Sequence, residues 1–187
     1  SGEHVSVWKF IPLAKLLTFT VVVAAGFEQA VLALLPVYGA LHAIPSFDMS
    51  ALLTVMIAGN IAMQVPLGFL AERFSARPVR LGCILGTVLG CVLLPLSIRS
   101  PLIWPMLFFW GSASYGVYTM SIVELGERFT GRTMIAGNAA FAMVWGVGGI
   151  AMPPLGGGVM GLLGASGLPL TLGLICSVLA VATAVAM

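Results

Sequence analysis

Long apolar runs, separated by short polar segments, constrain this chain more than any other feature of its sequence. A helix needs ~20 mostly apolar residues to cross the hydrocarbon core of a bilayer. Six such runs lie at about 13–42, 50–71, 79–98, 102–124, 133–155 and 168–187. Only 7% of the residues are charged and the mean hydropathy is +1.12, so charge cannot cover a water-exposed surface. We therefore predict an all-α integral membrane protein with six transmembrane helices.

The basic residues lie in alternate connecting segments. Seven of the eight fall in three segments that would share one side of the membrane: Lys9, Lys15, Arg73, Arg77, Arg80, Arg128 and Arg132. The remaining connections carry Arg99 alone. Because basic residues concentrate in cytoplasmic loops, we predict a multi-pass protein of a cell or inner membrane with both termini in the cytoplasm.

The connection between the second and third predicted helices carries an ordered motif, Gly68-x-x-x-Glu72-Arg73-x-Ser75-x-Arg77. It resembles the loop motif of the major facilitator superfamily, G-x-x-x-D-R-x-G-R-R. Glu72 replaces Asp, Ser75 replaces Gly, and Ala76 replaces the first of the two final Arg residues. The resemblance implies that Gly68 lets a neighbouring helix approach and that the charges form a cytoplasmic ion-pair network. Membrane topology alone is the alternative explanation for these arginines.

The connection between the fourth and fifth helices, ELGERFTGR, places Glu124, Glu127, Arg128 and Arg132 at the same face of the membrane. The resemblance implies that this connection shares in the network, and the alternative is an ordinary solvated loop. The predicted gate consists of Gly68, Glu72, Arg73, Arg77, Glu124 and Arg128. Since water would screen the charges of Glu72 and the nearby arginines, we expect each of their pairs alone to contribute at most ~1 kcal/mol.

The fifth predicted helix reads WGVGGIAMPPLGGG. It resembles the glycine-proline motif of the same superfamily, G-x-x-x-G-P-x-x-G-G, although Pro153 stands where Gly is expected. Gly allows close helix packing and Pro weakens the helical hydrogen-bond ladder. We predict a bend at Gly149, Pro153, Pro154 and Gly157, with general helix packing as the alternative.

The resemblance covers residues 13–187 and implies one six-helix half of a transporter, the carboxy-terminal half. Such a half is built from two inverted three-helix repeats. Residues 1–12 are then interpreted as a tag remnant, Ser1-Gly2, followed by the end of a cytoplasmic linker. The expected partners are the lipid bilayer, a small solute, and either the other half of the same transporter or a second copy.

Glu28 is the one formal charge in the middle of a predicted span. An ionised carboxylate in hydrocarbon is costly unless it is protonated, paired or hydrated. The resemblance implies that the first helix of each repeat lines the central cavity, so Glu28, Trp110, Ser114 and Tyr118 are the predicted cavity residues. The alternatives are a protonated Glu28 bonded to a neighbouring helix and aromatic side chains that only pack.

We therefore predict a secondary transporter that moves a small solute by alternating access, with a proton gradient as its energy source. The alternative is a non-transporting membrane scaffold that retains the transporter fold. An enzyme is not expected: the segment Gly164–Gly167 resembles an intramembrane protease signature, but His4 and His42 both precede it and no histidine base follows. No metal or cofactor motif is found, and the net charge of +2 does not favour nucleic acid.

Overall fold

The computed structural model describes residues 6–186, and the regular structure in that range is entirely helical. A short helix precedes six long ones, as the all-α prediction requires. The helices are α1 Val7–Leu13, α2 Lys15–Leu41, α3 Ser46–Phe74, α4 Ala76–Ser97, α5 Ile103–Arg128, α6 Gly131–Leu163 and α7 Gly167–Val185. A 3-10 turn, Gly164–Ser166, joins α6 to α7. The predicted tag remnant at Ser1-Gly2 lies outside the described residues.

Two of the predicted cytoplasmic loops are helical for most of their length. α3 continues to Phe74 and α4 begins at Ala76, so Ser75 alone separates them. α5 continues to Arg128 and therefore includes Glu124 and Glu127. The prediction of charged loops here was wrong in this respect. Cationic side chains in the last turn of a helix interact favourably with its dipole. The last turns of α3 and α5 can therefore include Arg73 and Arg128.

The fifth predicted run ended at about residue 155, which placed the glycines after Pro154 in a connection, and this was also wrong. α6 runs through Gly156, Gly157 and Gly158 and ends at Leu163. Backbone groups in a bilayer have no water to bond, so a helix that satisfies them internally persists even through poor helix formers. The chain turns instead at Gly164, whose φ of +64° suits a residue without a Cβ.

The tightest helix contacts occur between α2 and α6 and between α3 and α5. In the first pair, a Cβ on Gly148 would collide with the carbonyl group of Val22, and a Cβ on Gly26 would lie 2.9 Å from Cβ of Met152. Small residues at these points allow the two backbones to approach closely.

The α3–α5 pair repeats this arrangement with two other glycines. A Cβ on Gly59 would collide with the carbonyl group of Phe108, and one on Gly111 would collide with that of Met56. In the predicted division into three-helix groups, α2–α4 and α5–α7, the first helix of each group packs against the second helix of the other. α4 packs against both α5 and α7.

Side chains between the helices form two apolar clusters, a larger one along most of the length of the helices and a smaller one around Phe10 of α1. Cys83, Cys91 and Cys176 are buried and unpaired. Large apolar residues also cover much of the outer surface, including Ile61, Val65 and Phe69 of α3. A surface of this kind fits a lipid environment better than water.

Four stretches are long and apolar enough to cross a membrane: Lys15–Leu41, Ser46–Phe74, Ala76–Ser97 and Gly131–Val185. The last of these contains both α6 and α7. α5 is not among them, because its three serines, two tyrosines and one proline lower its mean hydropathy. The predicted count of six spans therefore stays a prediction.

Candidate functional site

A buried ion pair joins α4 to α5 at the end of the bundle where the basic residues concentrate. The Nη1 atom of Arg80 lies 2.6 Å from Oε2 of Glu124, and each side chain is no more than 2% exposed. The angle of approach departs from that of a hydrogen bond, and Nε of Arg80 has no acceptor among the described residues. Arg80 therefore depends on Glu124 for its charge compensation.

Two further arginines approach the other oxygen of the same carboxylate. Nε of Arg77 lies 3.5 Å and Nη1 of Arg128 3.1 Å from Oε1 of Glu124, and both arginine side chains are between a third and two-fifths exposed. Arg77 lies one turn before Arg80 on α4, and Arg128 lies one turn after Glu124 on α5. One buried carboxylate thus gathers three guanidinium groups from two helices.

Glu127 extends the contact between these two helices. Its carboxylate accepts a hydrogen bond from the backbone N–H of Ala76, with Oε1 at 3.1 Å. Ala76 is the first residue of α4, whose N–H group has no partner within the helix. An acidic group at a helix N-terminus is favourable, so Glu127 stabilises the start of α4 from the end of α5.

The structure separates the predicted gate residues into two sets. Arg77, Glu124 and Arg128 meet in the network, together with Arg80, which the prediction did not include. Glu72 and Arg73 are exposed and form none of the described ion pairs, and Arg73 lies instead over the ring of Phe74 at 5.5 Å. A Cβ on Gly68 would meet nothing within 4 Å, so no helix within residues 6–186 approaches it.

We expected water to screen the arginines near Glu72, and this was wrong for Arg80, because Arg80 and its partner Glu124 are both buried. Helical spacing contains a signal for them: residues three or four apart share a face, which groups Arg77 with Arg80 and Glu124 with Arg128. No sequence pattern shows that these two faces would meet.

Ser75, between α3 and α4, has a φ of +69° and a ψ of +161°. This backbone conformation is essentially restricted to glycine. The superfamily motif has glycine at this position, so the geometry gives a physical reason for that choice. With serine there, the connection between α3 and α4 is strained.

Glu28 lies at the midpoint of α2, thirteen residues from Lys15 and thirteen from Leu41. It is half-buried, and it makes no hydrogen bond or ion pair within the described part of the chain. The hydroxyl of Tyr115 on α5 is near enough to interact with it electrostatically. The alternative of a carboxyl bonded to a neighbouring helix is not seen.

The other predicted cavity residues lie at different depths. Trp110 is 2% exposed; its indole N–H donates to the carbonyl of Thr87 at 2.9 Å, and its ring packs edge-on against Phe27. Ser114 is buried, and its hydroxyl donates to the carbonyl of Gly111 in its own helix. These two side chains have core partners in this structure, and a contact with solute stays a prediction for both.

Tyr118 is half-buried and stacks edge-on with Trp145 of α6, with ring centroids 4.5 Å apart. It lies about one turn from Tyr115 on α5. Tyr118 and Glu28 are thus the two predicted cavity residues that remain partly accessible. Tyr115 and Trp145 join them as neighbours that the sequence interpretation did not single out.

The predicted bend in α6 is crossed by an unbroken helix. Pro153 and Pro154 lie within α6, and Gly149 approaches Gln29 of α2, where an added Cβ would be 3.0 Å from Cγ. Gly157 approaches Leu34 of α2. These residues therefore pack α6 against α2, and a role as a hinge stays a prediction.

Three apolar grooves lie away from Glu28. Grooves of about 440, 450 and 360 Å³ lie beside α4 and are lined almost entirely by apolar side chains such as Leu93, Val92 and Leu70. Over residues 6–186, no group of three or more histidine, cysteine, aspartate or glutamate side chains is placed to hold a metal ion.

Known proteins give matches consistent with this arrangement. A profile of the Major Facilitator Superfamily matches residues 17–187. An uncharacterized MFS-type transporter of Enterobacter sp. (strain 638) is 23% identical over 120 residues, which make up 64% of this chain and 31% of that relative. The match thus spans less than a third of the relative's length, and no solved structure gives a significant match. Since the profile covers nearly the whole sequence, the chain belongs to the Major Facilitator Superfamily.

Proposed function

We propose that this chain is one six-helix half of a secondary active transporter, which moves a small solute by alternating access in exchange for or together with protons. The observation that carries the proposal is Glu28, a half-buried carboxylate at the midpoint of α2 without a counter-ion among residues 6–186. An intramembrane ionisable residue of this kind is costly to keep and characteristic of proton and solute pathways.

The buried ion-pair network around Glu124 would act as the gate of this transporter. Glu124 holds arginines from α4 and from its own helix α5, and α4 and α5 belong to different three-helix groups. Separating the groups at this end would break the Arg80–Glu124 pair and expose it to water. The network therefore favours the conformation described here, and it would reform each time the transporter returns to that conformation.

The packing of the helices supports a half built from two inverted repeats. Gly26 and Gly148 bring α2 against α6, and Gly111 and Gly59 bring α5 against α3. Inverted repeats with a site at the bilayer midplane are the common architecture of secondary transporters. The apolar outer face of α3, the least buried of the four candidate spans, suits contact with lipid and with a second half.

Transport by the protein expressed from its complete reading frame and reconstituted in proteoliposomes tests this function. We expect an imposed pH gradient to drive solute flux, and we expect Glu28→Gln to abolish that flux while folding is retained. Asp48→Asn, which removes an acidic group at the start of α3, is the matched control and should transport normally.

Flux through Glu28→Gln with the same pH dependence as the unmodified protein would contradict the coupling role of Glu28. Absence of flux for any solute tested, from a well-folded protein, would favour the alternative of a non-transporting scaffold.

A further inference from the structure

Two apolar grooves of nearly equal size flank α4 toward the end of the bundle opposite the Arg80–Glu124 pair. The first, of about 440 Å³, lies between α4 and α5, and the second, of about 450 Å³, lies between α4 and α7. These volumes fall in the range of pockets that hold small ligands. The walls are apolar, and a buried water needs several polar partners, so water is a poor occupant of either groove.

Each groove is about as long as one leaflet of a bilayer is thick. Along α4 the first groove extends from Gly86 to Ser97, and along α7 the second extends from Ser166 to Ser177. Eleven residues of helix rise roughly 16 Å, and half of the hydrocarbon core is about 15 Å. Both grooves begin where their helices end, so their length and direction match an acyl chain of the leaflet on that side.

The first groove has a floor of small residues and a wall of large ones. An added Cβ on Gly86 would lie 3.0 Å from Cβ of Ala113, and one on Gly90 would collide with the ring of Trp110. α4 and α5 therefore meet directly along the floor, while Leu93 of α4 forms part of the wall. In a bilayer, packing contacts rather than exclusion of water hold apolar groups together, and a groove offers an acyl chain more of them than a convex helix does.

One basic side chain lies where the two grooves begin. Val92 and Leu96 form an exposed ridge of α4 between the grooves. Arg99 follows Leu96 by three residues, and Ile98 between them keeps helical dihedral angles, so Arg99 continues the ridge. The Arg99 side chain is exposed and forms no ion pair or hydrogen bond within residues 6–186, not even with Asp48, the other formal charge at this end.

We propose that the two grooves and Arg99 form a binding site for one anionic phospholipid. Its phosphate group pairs with the Arg99 guanidinium, and its two acyl chains lie in the grooves on either side of the Val92–Leu96 ridge. Arginine presents paired N–H donors that match phosphate oxygens. In a zwitterionic lipid the cationic part of the headgroup offsets this attraction, so the site selects a lipid of net negative charge.

Other occupants fit this surface less well. A helix of a second copy is about 10 Å wide and would rest on Leu96, which is 74% exposed, without filling the grooves on either side of it. An inorganic phosphate would pair with Arg99 and leave both grooves without an apolar occupant. A diacyl phospholipid uses the charge and both grooves together.

Photolabelling in lipid nanodiscs tests the proposal on the protein from its complete reading frame. The probe is phosphatidylglycerol with a diazirine in the middle of each acyl chain, at a low fraction in phosphatidylcholine, and peptide mass spectrometry locates the adducts. We expect adducts to concentrate around Leu93 of α4 and Leu170 of α7. Added unlabelled phosphatidylglycerol should suppress them more than the same amount of phosphatidylcholine.

Substitutions separate the headgroup from the chains. Arg99→Gln should lower the labelling roughly fivefold, as expected for the loss of one basic contact with an anionic headgroup, whereas Arg99→Lys should retain most of it. Arg73→Gln, which removes an exposed arginine at the opposite end of the bundle, is the matched control and should label normally. Leu93→Trp and Leu170→Trp should each lose labelling in their own groove.

Three results would overturn the proposal: equal suppression by the two unlabelled lipids, unchanged labelling in Arg99→Gln, or adducts as frequent around Ile61 on the outer face of α3 as in the grooves. The last result would indicate bulk lipid only. The competition on the unmodified protein decides the question even if a variant fails to fold.

Discussion

Replacing Glu124 by Gln tests the buried network directly. Glu124 and Arg80 are each 1% exposed, and their charged atoms lie 2.6 Å apart. Glutamine keeps the size of the side chain but removes its charge, so Arg80 would remain buried without a compensating carboxylate. Breaking a buried pair by removing one partner costs ~3–5 kcal/mol, and we expect Glu124→Gln to lose this much stability.

Glu72→Gln is the matched control, since Glu72 is an exposed glutamate at the same end of the bundle and outside the described ion pairs. Exposed charges of this kind contribute at most ~1 kcal/mol. The double variant Arg80→Met/Glu124→Met should be less damaging than Glu124→Gln, because replacing both partners of a buried pair by apolar groups is often neutral or stabilising.

Thermal unfolding followed with a thiol-reactive dye provides the assay. Cys83, Cys91 and Cys176 are buried and react only when the helices separate. For a domain of this size, the scaling of soluble proteins converts ~3–5 kcal/mol into a decrease of roughly 6–20 °C in the midpoint. Unfolding of Glu124→Gln and Glu72→Gln at the same temperature would refute the argument that the Arg80–Glu124 pair is buried and mutually dependent.

Three further predictions concern the backbone and the topology. Gly148→Ala should destabilise by ~1–3 kcal/mol through its collision with Val22, whereas Gly146→Ala on the same helix, where an added Cβ meets nothing, should be neutral or stabilising; equal midpoints would contradict the close approach. Ser75→Gly should raise the unfolding midpoint by relieving about 1 kcal/mol of strain at φ +69°, and an unchanged or lower midpoint would argue against that strain. Thr130→Cys should resist an impermeant thiol reagent applied outside intact cells while Arg99→Cys reacts, and the opposite pattern would reverse the predicted orientation.

Local features of the sequence were enough to predict the helices and the kind of protein. Apolar runs of sufficient length, with basic residues in alternate connections, predict helices that cross a membrane, because both signals depend on neighbouring residues and on the bilayer alone. The motif around Glu72 and Arg73 indicated the family. The mid-span position of Glu28 was also readable, since α2 extends to similar lengths on either side of it.

The helix ends were less predictable, because charge and glycine were read as breaks. Helical hydrogen bonding continues through Glu124 and Glu127 and through Gly156–Gly158. The chain ends its helices instead at Ser75 and Gly164, where the backbone has a positive φ. Composition alone does not distinguish a glycine within a helix from one that ends it.

Which side chains meet across helices was decided by the tertiary structure. Arg80 pairs with Glu124, and Trp110 bonds to Thr87, although no spacing in the sequence links these residues. A helix that is apolar on all sides has no polar face from which its orientation can be read. The glycines that let α2 approach α6 and α3 approach α5 set that orientation through non-local packing, and this packing places Arg80 in the core and leaves Glu28 partly accessible.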